Sequence, residues 1–398
     1  MFKTESQGSL FIANPFLDIF LKEVPETFLD KIKLKKGTTG IENDPNKFKK
    51  ILEKALAYMQ KANMQNVSSS YNASEMICAI GGSGTNVMRA FSNFDHKCTI
   101  LGRIGDEETG KAIETHISDL NVVSLLIKSS NSSSGRVLCF ITPDNQRTML
   151  AHYGATTNFT AEDISEEKFN GYTHCHIEGY IPLFEGVAKK CIDIASYNNA
   201  VISLNLPTKD IIELCKETFK EQAKRVDYIV GNLEEITTLA KIIEEPPKES
   251  SSNVCTSIVQ SNASTSSTES MAIYPKSKQL DLPSDFNDEN IQKVFSSYPK
   301  NQTVAATDKA NKIWIRASGE KIAKHYEVKK IDQEEIKNPV GAGDTWTGIF
   351  LALLLKKVPV AQAVEIANSG AAEWIKTNPG VGLSKKTWKE LNNKLKVN

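Results

Sequence analysis

The chain carries no net charge: 48 lysines and arginines balance 48 aspartates and glutamates over 398 residues. Without a basic excess, composition gives no pull toward nucleic acid or an anionic membrane surface. Among the seven cysteines (Cys78, Cys98, Cys139, Cys175, Cys191, Cys215 and Cys255) there is no Cys-x-x-Cys. Their odd number and scattered spacing argue against a disulfide framework or a structural zinc site, and most read as reduced core residues. No apolar run approaches bilayer length. The start, Met1 to Gly8, is too polar for a secretory signal. These absences lead to an expectation of a cytoplasmic protein with no nucleic-acid and no membrane partner. Histidine is also scarce, with six in all. Only His174 and His176 stand close together, and at i and i+2 on a strand they share a face. That allows a metal pair or ordinary strand packing, and no further ligands are evident nearby.

What is present is a glycine loop opening an apolar helix, from Asn338 through Pro339, Gly341, Gly343 and Asp344 to Gly348, followed by Ile349 to Leu355. Pro339 lacks an N–H donor and suits a turn. Gly341 and Gly343 let the backbone turn sharply and approach a ligand. A helix starting near Gly343 aims its unpaired N–H groups and positive dipole end above the loop, which makes an anion site, with phosphate the natural anion. Asp344 either caps this helix or stands as a base that takes a proton from a hydroxyl nucleophile. The residues alone leave both readings open.

Leu10 to Ala13 reads as a strand ending at Asn14-Pro15. Asp18, among Phe16, Leu17, Ile19 and Phe20, lies either on the exposed face of a second strand or in a functional place. Residues 48–59 have helical spacing. Met76 to Ile80, then Gly81-Gly82-Ser83-Gly84-Thr85-Asn86, then Val87 to Phe91, is a strand, glycine turn and helix unit. It fits neither GxxxxGK[ST] nor GxGxxG. Thr99 to Asp106 is a strand ending in a turn, with a helix from about Glu107. Strands 135–142 and 147–150, joined by Pro143 to Gln146, form a hairpin. From Tyr172 onward, strands at 172–177, 201–205 and 226–230 alternate with helices at 184–197, 208–224 and 234–243. This predicts right-handed βαβ units in a parallel sheet, with ligands at the strands' carboxyl ends. Residues 244–285 are rich in serine and proline and predict an exposed insertion. Strands at 303–307 and 312–315 pair, and helices near 361–376 and 385–395 close the chain.

Gly341-Ala342-Gly343-Asp344 before an apolar helix resembles the signature of the ribokinase-type (pfkB) small-molecule kinases. Asn14-Pro15-Phe16-Leu17-Asp18 resembles the start of its adenosine kinase members, as does Ser203-Leu204-Asn205-Leu206. Gly81-Gly82 with Asn86, Gly102 to Asp106 with Gly110, and Asn232-x-x-Glu235 are similar to further blocks of the family, in the expected order. The resemblance implies one ribokinase-like α/β domain over residues 1–398. It would have three layers, a mainly parallel central sheet flanked by helices, and a small β-sheet lid from roughly 14–45 and 121–152. It implies ATP-dependent phosphorylation of a nucleoside or sugar hydroxyl with Mg2+, by a monomer or homodimer. Adenosine, giving AMP, is the first substrate to try. Another sugar such as ribose or fructose, or a non-catalytic ligand-binding relative, is the alternative.

On this resemblance Asp344 would be the base, and the amides of Gly341, Ala342, Gly343 and Asp344 would hold the charge of the transferred phosphoryl group. Asn14, Asp18, Gly81, Gly82, Asn86 and Arg147 would hold substrate. Asn205, Asn232, Thr307 and Asn368 would hold nucleotide. Glu235 would organise magnesium through water. Two departures stand out. Asn338-Pro339 replaces the usual Asp-Thr, which puts an activating monovalent cation in doubt. The turn at 307–311 lacks the usual glycine, which leaves room for another phosphoryl donor.

Overall fold

The computed structural model describes residues 8–65, 76–144, 146–246, 272–273, 288–308, 311–328, 330–378 and 380–396. Its centre is a nine-stranded sheet. In spatial order the strands are Lys324–Glu327, Lys312–Arg316, Thr303–Asp308, Tyr228–Asn232, Val201–Asn205, Tyr172–Ile177, Gly8–Ile12, Cys98–Leu101 and Val123–Ser124. From Thr303–Asp308 to Val123–Ser124 every pairing is parallel, and the two outer pairings at the other edge are antiparallel. The apolar runs Leu10 to Ala13 and Val201 to Leu204 suit strands covered on both faces.

Helices cover each face. Val187–Tyr197, the pair Lys209–Leu214 and Lys216–Ala223, and Leu233–Glu244 pack on one side with Phe219, Ile229 and Leu204. Ser83–Ser92, Ala342–Leu355 and Val360–Ile375 pack on the other with Phe11, Phe91 and Phe350. The helix Ala342–Leu355 is apolar all round, and its residues from Thr345 to Leu353 are buried, so it runs through the core. Gly348 lets it lie against Ser83–Ser92, because a Cβ there would stand 2.2 Å from the Val87 carbonyl oxygen. The expected single helix over 208–224 breaks at Cys215, which has helix-ending dihedrals.

A second, six-stranded sheet contains Thr39–Ile41, Arg147–His152, Arg136–Ile141, Phe16–Leu21 and Met76–Gly81, with Ala272–Ile273 at its edge. The hairpin 136–152 is antiparallel, as its turn residues predict. The strand Ala272–Ile273 falls inside the segment expected as an insertion, most of which lies outside the described residues. Alternation gives this sheet two different faces. Ile19, Leu21, Leu138, Phe140 and Leu150 pack under the helices Glu26–Lys31 and Pro45–Gln65 with Phe28, Phe48 and Ile51. Asp18, Val137, Cys139, Arg147 and Met149 point the other way, into a cavity. Among the described residues no helix is long and apolar enough to cross a membrane.

Candidate active site

The cavity between the two sheets holds about 360 Å³. The large sheet contributes its strands' carboxyl ends, with Asn205, Gly231, Asn232 and Thr307 on the wall. The helix Ala342–Leu355 forms the floor at its N-terminus, with Gly341, Gly343 and Asp344. Gly341 is left-handed at φ 80° and occupies the N-cap position. A Cβ on Gly343 would meet nothing within 4 Å, so this backbone is open to a close ligand. The loop before it is fixed from behind. The N–H groups of Lys337 and Asn338 donate to the Ile375 carbonyl, each at 2.9 Å, and Trp374 Nε1 donates to the Val340 carbonyl at 2.6 Å. Asn338 Oδ1 accepts from the Val340 N–H at 3.2 Å. The unusual Asn338-Pro339 thus serves as the loop's anchor.

Asp344 makes no cap bond to its helix. Its Oδ1 accepts from Ser83 Oγ at 2.8 Å, and its Oδ2 accepts from Asn86 Nδ2 at 3.2 Å. Burial raises its pKa, while those two bonds and the charges of Arg147 and Arg89 hold it down. Arg89 positions Asn86: its guanidinium donates to Asn86 Oδ1 at 2.9 Å, which turns the amide N–H toward Asp344. The same guanidinium bonds to the Ile80 carbonyl. Asp18 lies across the cavity with its pKa pushed up to about 7 by burial, against the pull of Arg89 and Arg147. Gly81 is tight against it, since a Cβ there would fall 2.0 Å from Asp18 Oδ2.

Glu235 and Asn232 form a capping box: Glu235 Oε2 accepts the Asn232 N–H at 2.8 Å, and Asn232 Oδ1 accepts the Glu235 N–H at 2.8 Å. Burial raises Glu235 to about 8, and Asp344 adds to the rise. Two carboxylates that repel across one cavity suit a cation between them. Among the described residues no group of three His, Cys, Asp or Glu could hold a metal alone. Such an ion would therefore draw most of its ligands from water and a bound phosphate, as magnesium does.

A model for the pfkB family carbohydrate kinases matches residues 55–284. The chain belongs to this family. Adenosine kinase 1 of Arabidopsis thaliana is 22% identical over 370 residues, spanning 89% of this chain and 90% of that protein. The adenosine kinase of Schistosoma mansoni, solved with 2-fluoroadenosine, has a TM-score of 0.72 at 15% identity, covering 97% of this chain and 100% of that one. That of Anopheles gambiae has a TM-score of 0.69 at 19% identity, covering 97% and 98%. A probable sugar kinase of Rhizobium etli has a TM-score of 0.71 at 16% identity, covering 98% of both. The fold is ribokinase-like, and at these identities the solved structures speak for the fold alone.

Of the residues singled out in sequence, Asp18, Gly82, Asn86, Arg147, Asn205, Asn232, Glu235, Thr307, Gly341, Gly343 and Asp344 meet in this pfkB cavity. Asn14 does not line it. Its Oδ1 accepts from the Arg103 N–H at 3.0 Å, its own N–H donates to Glu178 Oε2 at 2.9 Å, and its residue is 2% exposed. Gly81 and Ala342 also stay off the wall. Asn368 lies in a separate groove of about 940 Å³ beside Tyr326 and Glu327, where its Oδ1 accepts from Trp346 Nε1 at 2.8 Å. His174 and His176 bond to Ser203, which resolves them as packed strand residues.

Sequence reasoning passed over Ser83, Arg89 and Glu178. Glu178 accepts from the N–H groups of Asn14 and Gly84 at 2.9 and 3.1 Å, pinning two loops together, and burial raises it to about 7. A carboxylate just past the parallel strand Tyr172–Ile177 was the available signal for Glu178. For Arg89 it was the i, i+3 spacing from Asn86.

Proposed function

We propose that this protein transfers the γ-phosphoryl group of ATP to a hydroxyl of a nucleoside, adenosine first, with Asp344 as general base. The observation that carries this reading is Asp344 itself: a carboxylate at the N-terminus of a helix that opens on the cavity, facing that cavity and bonded to Ser83 and Asn86 instead of capping. The acceptor hydroxyl gives its proton to Asp344 while its oxygen bonds to the γ-phosphorus. The bond from that phosphorus to the β–γ bridging oxygen breaks, and ADP leaves. A base raised by burial is better matched to this proton than an ordinary aspartate. The N–H groups at Gly341 to Asp344 would face the charge that develops on the transferred oxygens. Asp18 and Asn86 would hold the acceptor's sugar hydroxyls, and Arg147 would face the phosphates. Glu235 would hold magnesium through water, and that ion would supply neutralising charge to the phosphates. Asn232 and Thr307, at strand ends on the same wall, would border the nucleotide.

The wall opposite Asp344 favours a nucleoside over a free sugar. Phe16, Val137, Cys139, Met149 and Tyr153 offer an apolar, partly aromatic surface beside Asp18. Such a surface suits the flat face of a base, and a bare hexose or pentose would leave it unused. The adenosine kinase relatives support the same choice. The intact Asp344 speaks against a non-catalytic relative. The test is a panel of nucleosides and sugars with ATP and magnesium, read by ADP release. Adenosine or a close purine nucleoside should turn over fastest, and Asp344→Asn should lower the rate at least about a hundredfold. No turnover on any acceptor, or an unaffected variant, would sink the mechanism.

A further inference from the structure

A file of buried polar side chains runs from Asp344 back into the large sheet. Ser83 Oγ lies 2.8 Å from Asp344 Oδ1, and Asn205 Nδ2 lies 2.9 Å from Ser83 Oγ. His176 Nε2 lies 3.1 Å from Asn205 Oδ1, and Ser203 Oγ lies 2.8 Å from His176 Nδ1. His174 Nε2 closes the file, 2.8 Å from the same Ser203 oxygen. His174 and His176 share one face of their strand, Ser203 and Asn205 share that face of the next, and His176 pairs in register with Ser203. Ser203 and His176 are fully buried, and His174 and Asn205 nearly so.

The direction of every bond in this file follows from one fixed point. The Gly179 backbone N–H reaches the same Asn205 atom at 3.3 Å, and a backbone N–H can only donate, so that atom is the amide oxygen. His176 Nε2 faces an acceptor and must carry a hydrogen. Burial lowers the pKa of His176 to about 3 and drives His174 well below its ordinary value, so both rings are neutral. His176 Nδ1 is then bare and accepts the single Ser203 proton. Ser203 has no second proton, so His174 donates to it from Nε2. His174 Nδ1 is left bare, and it is indeed a buried nitrogen with no partner. At the other end Asn205 Nδ2 donates to Ser83, whose only proton is left for Asp344. All donors point toward the carboxylate. Phe91 stacks on His174 at 5.5 Å between centroids, and Phe11 lies tilted against His176 at 5.2 Å.

We propose that His176, with Ser203 and His174 behind it, is a positioning residue for Asp344 that acts through Asn205 and Ser83. A chain of donors aligned in one direction polarises each member and fixes the last one. It holds the Ser83 hydroxyl on Oδ1 and so keeps the carboxylate turned with Oδ2 toward the acceptor. Asn205, expected on the nucleotide, commits its oxygen and one amide hydrogen to this file. The proposal rests on the kinase reading for its effect on rate, but its geometry does not.

Two measurements test it. In the 15N-labelled wild-type protein, long-range imidazole spectra near neutral pH should show His174 and His176 both neutral and protonated on Nε2. In kinetics, His176→Phe should lower kcat about ten- to a hundredfold and leave the acceptor KM within about twofold. His176→Gln puts an amide donor where Nε2 stands and should recover most of the rate. His176→Asn mimics Nδ1 and should not. An Nδ1-protonated or cationic His176 overturns the file whether or not the enzyme turns over, so misfolded variants do not shield the proposal. Equal rates for Gln and Asn, or an unchanged kcat in His176→Phe, overturn the positioning role. A wild-type chain with the expected tautomers and no turnover on any acceptor overturns the kinase reading and leaves the file standing.

Discussion

Gly81 shows how a residue off the cavity wall can govern it. Its missing Cβ is the space that Asp18 fills, at 2.0 Å from Oδ2. The clashing atoms, Oδ2 and, at 2.7 Å, Cγ, both belong to the Asp18 carboxyl group, so a methyl there would displace the carboxylate and leave the backbone in place. Gly81→Ala should therefore change stability by only about 1 kcal/mol or less. It should also raise the acceptor KM about ten- to a hundredfold, the worth of a charged hydrogen bond. Thermal melts and acceptor titrations on the same preparation check both halves; a normal KM would remove Asp18 from the acceptor. The glycine pair was visible in sequence, but its partner was not. Asp18 stood in an apolar run with two open readings, and only the pairing of Phe16–Leu21 between Met76–Gly81 and Arg136–Ile141 settles which face it takes.

The strand Tyr172–Ile177 and its short extension to Glu178 carry a second consequence. Glu178 ties the end of Gly8–Ile12 to the start of Ser83–Ser92 through Asn14 and Gly84. Its pKa is raised by burial from the ordinary 4.5 to about 7. The folded chain therefore keeps a proton there that the unfolded chain releases at lower pH. Stability from this group is present in acid and is lost as pH rises toward the folded value. Between about pH 5 and pH 8 the loss should be on the order of 1–3 kcal/mol. Glu178→Gln cannot titrate, so its urea stability should fall less over that interval than wild type. Parallel curves would show that Glu178 is charged throughout.

At this scale the sequence was a good guide wherever local period and core demand agreed. The strands Tyr172–Ile177 and Val201–Asn205 lie where the strand–helix alternation set them. It was a poor guide where a contact is long-range. Nothing local announces that Asn14 turns away from the cavity to hold Arg103, or that Ser83 reaches Asp344 across 261 positions.

On the scale of the whole molecule, the two sheets are built differently. The large sheet is covered by helices on both faces. Among the described residues, helices cover the six-stranded sheet on one face only, through Glu26–Lys31 and Pro45–Gln65, and its other face is given to the cavity. That bare face carries Asp18, Arg147, Met149 and Cys139, so an occupant would supply the layer it lacks. Filling the cavity should tighten the small sheet far more than the large one, because local opening free energies follow buried contacts. With adenosine bound, amide hydrogen exchange should slow in Phe16–Leu21 and Arg136–Ile141 by about tenfold or more. Exchange in Tyr172–Ile177, already inside two helix layers, should stay as it was. Protection confined to the helix start at Gly341 would mean that the small sheet is no lid and that the acceptor sits wholly on the large one. Equal slowing in both sheets would point to global stabilisation by ligand, as mass action requires of any binder, with no closing element.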